Sequence, residues 1–211
     1  MEYLDYFDSN MNFLGVGTRE EVHKNGWWHK TFHGWVLREE DDKHYVVFQI
    51  RASERESYPD LLDITVAGHL LTSEKIEDGF REVFEEIGIR IEDKQKKFLG
   101  IRITIAESIY KQNKEFSYVY FIYNNTAISE YSLQEKEVKG IVEIEVESGL
   151  RLFSDEEKSI SVRGYKYEKG KKIYGNFIIA KKDFVQRIDN YYYKIFIMAD
   201  RFFSKCKYLT I

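Results

Sequence analysis

A short amphipathic segment in the first half of the chain constrains the fold more than any other feature. Apolar residues recur every three or four positions over 75–87, which predicts a helix with one buried stripe that ends at Gly88. The stripe consists of Ile76, Phe80, Val83, Phe84 and Ile87. Aromatic and β-branched runs on both sides predict strands at 29–37, 45–51, 98–106, 116–123 and 141–146. The sheet topology is left open by this pattern.

The two ends of the chain carry further local signals. A turn cluster at 8–10 predicts a hairpin of 3–7 and 13–16, and Thr18 followed by Glu21 forms a capping box that predicts a helix over 19–24. Near the other end, a turn at 168–170 predicts a second hairpin. A final helix is predicted over 182–205, with a stripe of Phe184, Ile188, Tyr192, Ile195 and Met198. Since no repeat or flexible linker divides the chain, we expect one domain over 1–211.

Composition excludes several classes of protein. The 211 residues are 43% hydrophobic and carry a formal net charge of -4, which gives no broad basic footprint for nucleic acid. No apolar run is long enough to predict a membrane span. Cys206 is the single cysteine, so the chain can form neither an internal disulfide nor a cysteine-based metal cluster. We therefore expect a globular protein of a reducing compartment such as the cytoplasm, with no membrane or nucleic-acid partner.

The side of the predicted helix opposite the apolar stripe is acidic. At about 100° per residue, Glu82, Glu85 and Glu86 fall on this side. Three crowded carboxylates raise one another's pKa unless a cation or solvent screens them. A divalent cation such as Mg²⁺, or Mn²⁺ as the alternative, would remove the repulsion, and Mg²⁺ commonly engages substrate phosphates as well. Taken alone, the same pattern is also typical of a solvated helix face.

The residues around this acidic face resemble the Nudix box. The stretch from Gly68 to Glu74 followed by Arg81, the three glutamates, Gly88 and the aliphatic Ile89 fits the motif, although six residues separate Glu74 from Arg81, one fewer than usual. The resemblance implies an α+β fold, an α/β/α sandwich with a mixed sheet. Its core would cover about 27–150, with an N-terminal hairpin and helix in 1–26 and a C-terminal helical extension in 151–211.

The resemblance also implies site residues. The metal ligands would be Glu82, Glu85, Glu86 and the Gly68 carbonyl, and Glu74 would pair with Arg81. The implied activity is Mg²⁺-assisted attack of water on the diphosphate linkage of a nucleoside diphosphate or one of its derivatives. The catalytic set would be Arg81, Glu85 and Glu86. For the general base, Glu85, Glu86, Glu135 and Glu137 remain open alternatives.

Other positions are similar to isopentenyl-diphosphate isomerase, a Nudix-fold enzyme. That likeness implies a second metal site at His29, His69 and Glu115, which His23 would join only with a one-residue shift, and diphosphate contacts from Arg51 and Arg55. Ala67 stands where the isomerase has its catalytic cysteine, and a methyl group cannot transfer a proton. The sequence thus favours a hydrolase that acts on a small diphosphate. The alternatives are an isomerase-like enzyme and a non-catalytic nucleotide sensor, and a homodimer is compatible with each.

Overall fold

The computed structural model describes residues 2–107 and 112–211. Its strands are β1 Tyr3–Phe7, β2 Phe13–Thr18, β3 Trp28–Glu40, β4 Lys43–Arg51, β5 Leu62–Asp63, β6 Val66–His69, β7 Lys96–Glu107, β8 Gln112–Tyr123, β9 Val138–Glu145, β10 Ile160–Glu168 and β11 Lys171–Ile179. Its α-helices are α1 Arg19–Asn25, α2 Arg81–Ile87, α3 Val146–Phe153 and α4 Tyr191–Phe203. Short 3-10 turns cover Ile76–Phe80, Asp93–Gln95, Ile128–Glu130 and Lys181–Asp183.

The described strands join in one mixed sheet with β3 at its centre. β3 pairs antiparallel with β1, β4 and β6, and it pairs in parallel with β8 from Trp28 to Leu37. The path β11-β10-β9-β4-β3-β1-β2 makes up the rest of the sheet, β5 pairs with β4, and β7 pairs with β8. β3 and β4 contain long aromatic and β-branched runs, which explains why residues on both faces of these strands are buried.

Helices cover both faces of this sheet. One face packs against α3 and α4 through a core that includes Trp35, Phe48 and Phe196. The other face packs against α2 through Phe32, Val83 and Ile87. The predicted α+β sandwich with a mixed sheet is therefore confirmed, as are the two hairpins and the helix capped by Thr18.

The helix predicted over 75–87 is wrong in its first half. An α-helix begins only at Arg81, because the residues before it form a 3-10 turn. Gly79 lies against Phe32, where a Cβ would overlap the Phe32 side chain, so only glycine fits at this position. Because glycine is a poor α-helix former, it disfavours an α-helix over this segment. Phe84 is 51% exposed and does not belong to the buried stripe.

The final helix is also shorter than predicted. α4 begins at Tyr191, since Asn190 has a φ of 53° and breaks the helical path. Ile188, predicted to be on the buried face, is 97% exposed, whereas Phe184 is buried in the preceding loop. The sequence also gave no prediction of α3, whose Gly149 lies under the ring of Phe196. Among the described residues, no helix has the length and apolar character needed to cross a membrane.

Candidate active site

The first turn of α2 lies directly against the backbone of β6. Gly68 pairs with Phe32 on β3, and a Cβ built on Gly68 would overlap the carboxylate of Glu82. A glycine is therefore required where strand and helix meet. Gly88 has a φ of 72° and ends the same helix in the left-handed conformation that glycine favours. Both motif glycines thus set the position of the acidic helix.

Arg81 holds the loop before α2 to the helix. Its Nε donates to Glu74 Oε1 at 2.8 Å, and its Nη1 donates to Glu82 at 2.7 Å and to Glu85 at 3.0 Å. Glu74 also accepts a hydrogen bond from the Leu71 N–H at 2.8 Å. The bond to Glu74, with the charges of Glu82 and Glu85, raises the pKa of Arg81 further above its usual value. The shortened spacing before Arg81 therefore does not prevent the ion pair.

Two of the three helix carboxylates lie side by side, one buried and one partly buried. Glu86 is 5% exposed, and burial together with the neighbouring Glu82 raises its pKa to about 8. Burial likewise raises the pKa of Glu82. Oε2 of Glu86 has no hydrogen-bond partner among the described residues. Since an unpartnered buried carboxylate oxygen is costly, this donor set fits a divalent cation with oxygen ligands.

Glu85 has a different environment. Its side chain is 50% exposed and its described contact is the ion pair with Arg81. The structure therefore brings the predicted acidic ligands together on one helix, with Glu86 buried, Glu82 partly buried and Glu85 accessible to water. That distinction was not visible in the sequence, where the three residues share one face.

The two predicted phosphate contacts are engaged by protein groups. Arg51 donates to Asp63 at 3.2 Å and to the carbonyl oxygens of Ser57 and Tyr58. Arg55 forms an ion pair with Glu137, one of the candidate bases. The positive charges of both arginines oppose the rise in the pKa of Glu86, so both act on the acidic site.

A cluster of imidazoles lies at the β6 edge. The ligating atoms of His23, His29 and His69 are within 4.8 Å of one another, and Glu115 Oε1 lies 4.0 Å from His29 Nε2. In the described structure, Nε2 of both His29 and His69 is buried without a hydrogen-bond partner. Burial lowers the pKa of each ring and so favours the neutral form that binds a metal. His23, which the sequence matched only with a one-residue shift, lies in this cluster because the capped helix α1 places it there.

A buried polar junction near Ala67 was not found from the sequence. Asp63 accepts hydrogen bonds from Arg51, from Arg187 at 2.8 Å and from the Tyr192 hydroxyl at 3.0 Å. Although burial works against it, Arg187 and Arg51 hold the pKa of Asp63 below its usual value. Arg187 and Tyr192 come from the C-terminal extension and fit no motif, so only the tertiary structure reveals their place.

Comparisons with known proteins agree with the family indicated by the motif around the acidic helix. No protein-family model matches the chain. An uncharacterized Nudix hydrolase of Clostridium acetobutylicum is 35% identical over 201 residues, which cover 94% of this chain and 96% of that protein. Nudix hydrolase 3 of Arabidopsis thaliana is 26% identical over 162 residues, 74% of this chain but 21% of the plant protein. A crystal structure of a Deinococcus radiodurans protein shares the fold with a TM-score of 0.53 at 16% identity, covering 74% of this chain and 91% of that one.

Proposed function

Because this chain belongs to the Nudix hydrolase family, we propose that it hydrolyses the diphosphate linkage of a nucleoside diphosphate or a nucleoside diphosphate derivative with the help of Mg²⁺. The observation that carries the proposal is the adjacent pair of Glu82 and Glu86: the partly buried Glu82 lies against Gly68, and the buried Glu86 has an oxygen without a hydrogen-bond partner among the described residues. Two adjacent carboxylates that are at least partly buried are unfavourable without a cation, and a divalent cation removes the repulsion.

The proposed metal ligands are Glu82, Glu85, Glu86 and the Gly68 carbonyl, with Mn²⁺ as the alternative ion. The bound ion would supply Lewis-acid polarisation of the diphosphate. Arg81 positions Glu82 and Glu85 through its two hydrogen bonds to them. Glu85 or Glu86 takes the proton from the attacking water, and Glu85 is the one that solvent reaches.

Glu137 remains a second candidate for the general base. Its ion pair with Arg55 links it to the acidic site, because the positive charge of Arg55 opposes the rise in the pKa of Glu86. We propose that Arg55 and Arg51 bind the phosphate groups, and binding by Arg55 would release the carboxylate of Glu137. Glu135 is exposed, and although the neighbouring Gln134 N–H donates to the Glu86 carbonyl at 2.9 Å, no described contact joins the Glu135 side chain to Glu86.

The imidazole cluster is a proposed second metal site. His29, His69 and Glu115, joined by His23, offer nitrogen-rich ligands that suit a transition metal better than Mg²⁺. The same cluster is what an isomerase-like enzyme would need. Ala67 lacks the proton-transferring group, however, so hydrolysis is the better-supported chemistry.

The proposal covers the whole chain as one domain acting on a small molecule in a reducing compartment such as the cytoplasm. Its test is product analysis by anion-exchange chromatography after incubation with nucleoside diphosphates, nucleotide sugars and dinucleotides. Release of a nucleoside monophosphate by the wild type with Mg²⁺, but not with EDTA and not by Glu86→Gln, supports it. Equal release by Glu86→Gln would contradict the assignment of the site.

A further inference from the structure

The loop before α4 brings an arginine from the C-terminal extension to β5. The Val185 N–H donates to the Leu62 carbonyl at 2.9 Å, which fixes this loop along β5. Two residues later, Arg187 Nη2 donates to Asp63 Oδ1 at 2.8 Å. The extension is therefore joined to β5, whose Asp63 also accepts a hydrogen bond from Arg51.

This junction has more positive than negative charge. One carboxylate, Asp63, serves both Arg51 and Arg187, at 3.2 Å and 2.8 Å. The nearby Arg102 has its own carboxylate, since it donates to Asp189 through two nitrogens at 2.7 and 2.8 Å. These three arginines and two aspartates together carry a formal net charge of +1.

Within this junction, Arg187 is the guanidinium that has a buried nitrogen without a hydrogen-bond partner among the described residues. Its side chain is 17% exposed, yet its Nε is buried without a partner in the described part of the chain. A buried donor without an acceptor costs free energy, so this position favours a ligand that brings an acceptor oxygen. Phosphate suits it because a guanidinium presents a planar set of donors that matches phosphate oxygens.

The position of this donor relative to the acidic site follows from β6. The Ala67 N–H donates to the Glu86 carboxylate, while Ala67 itself pairs with His33 on β3. His33 lies beside Arg187 and Arg102, and burial with these two positive charges holds the pKa of His33 well below its usual value. The neutral His33 donates to or accepts from the Tyr191 hydroxyl at 3.0 Å. Arg187 and Glu86 are thus on opposite sides of one narrow edge strand.

We propose that Arg187 binds a phosphate monoester of the substrate that lies outside the diphosphate linkage to be cleaved. The inference rests on the proposed function and narrows its substrate class to nucleoside diphosphate derivatives with an additional phosphate group. Arg187 is a specificity residue in this account, and the C-terminal extension is the part of the chain that supplies it.

Matched substrate pairs test this directly. NADP⁺ and NAD⁺ differ by one phosphate monoester, as do coenzyme A and dephospho-coenzyme A. We expect kcat/KM to favour the phosphorylated member of at least one pair by about tenfold, and this preference to disappear in Arg187→Gln. Arg187→Lys should keep part of it, and Arg201→Gln, on the exposed side of α4, should keep all of it.

A binding measurement separates this inference from the hydrolase proposal. Isothermal titration of adenosine 3′,5′-bisphosphate and of AMP, without metal, requires no turnover. Tighter binding of the bisphosphate by the wild type and by Arg187→Lys, but not by Arg187→Gln, supports the subsite even if no substrate is hydrolysed. Equal binding of both nucleotides, or an unchanged preference in a folded Arg187→Gln variant, would overturn it.

Discussion

The guanidinium of Arg81 lies 2.8 Å from the carboxylate of Glu74, although the segment between them is one residue shorter than the usual motif. The 3-10 turn Ile76–Phe80 explains how the shorter segment spans the distance. A 3-10 helix rises about 2.0 Å per residue, compared with about 1.5 Å in an α-helix. The tighter winding lets fewer residues reach the start of α2.

The first prediction concerns this ion pair. Glu74→Gln and Arg81→Gln should each lower the free energy of unfolding by about 1 kcal/mol, and the double variant should lose less than the sum. The partly buried geometry and the additional Leu71 hydrogen bond favour a measurable coupling. Urea denaturation of all four proteins gives the coupling energy. Additive losses would show that the pair does not hold the loop to the helix.

A second prediction uses two glycines as a matched pair. Gly68→Ala should weaken Mg²⁺ binding at least about tenfold, because the new methyl group would displace the Glu82 carboxylate. Gly175→Ala is the control, since its Cβ would meet nothing within 4 Å among the described residues. Isothermal titration with Mg²⁺ measures both. Equal affinities of the two variants would argue against metal binding at Glu82.

The third prediction concerns the buried charge of Glu86. In EDTA at pH 8, Glu86→Gln should raise the free energy of unfolding by about 1–2 kcal/mol, because it removes a carboxylate whose pKa is raised to about 8. The same variant should lose the stabilisation by Mg²⁺, which for the wild type is about 2.7 kcal/mol at 100 times Kd. Glu147→Gln on the exposed side of α3 should show neither effect. Thermal unfolding with and without Mg²⁺ measures both effects. Destabilisation of Glu86→Gln in EDTA would contradict the assignment of Glu86 as an unfavourable buried charge.

A fourth prediction follows from the buried, neutral His33. Its pKa in the folded protein is well below the ordinary value of 6.5, so the unfolded chain takes up a proton that the folded chain does not. Stability is therefore fully present above pH 6.5 and falls as the pH drops below it, by up to about 1.4 kcal/mol per pH unit from this group. His33→Asn should flatten that slope. Urea unfolding between pH 7.5 and 5.5 would contradict this account if wild type and His33→Asn kept parallel curves.

The fifth prediction tests the imidazole cluster. His69→Asn should lower the affinity for Zn²⁺ or Mn²⁺ by about tenfold or more, because it removes one of three converging nitrogen ligands. His44→Asn is the control, since the His44 ring stacks on Phe203 and does not belong to the cluster. Titration of metal-free protein by calorimetry measures the change. Unaltered affinity of His69→Asn for these metals would contradict a second metal site at the imidazole cluster.

Much of the acidic site could be predicted from the sequence because it lies within one continuous segment. The spacing of the glutamates and of Gly88 determines a helix face and its end, and these depend on local backbone geometry. The two hairpins were predictable for the same reason, since turn residues flank apolar runs. The α-helical start at Arg81 was not, because the contact of Gly79 with Phe32 depends on a distant strand.

The remaining part of the site depends on tertiary structure. Arg187 and Asp63 are 124 positions apart and meet only because the last loop packs on β5. The same loop also explains why the last helix starts later than predicted. Asn190 adopts a left-handed conformation that periodicity cannot indicate. His23 is an intermediate case: the capping box predicted its helix, but its distance to His29 and His69 required the fold.

The most direct test of the central claim is ³¹P NMR of the purified protein with Mg²⁺ and a mixed panel of nucleoside diphosphates, nucleotide sugars, dinucleotides and isopentenyl diphosphate. The Glu85→Gln/Glu86→Gln double variant is measured beside it. The account predicts nucleoside monophosphate signals that grow only with the wild type, while isopentenyl diphosphate stays unchanged. Binding of panel members without any new phosphorus signal, or equal turnover by the double variant, would contradict metal-assisted diphosphate hydrolysis at this site.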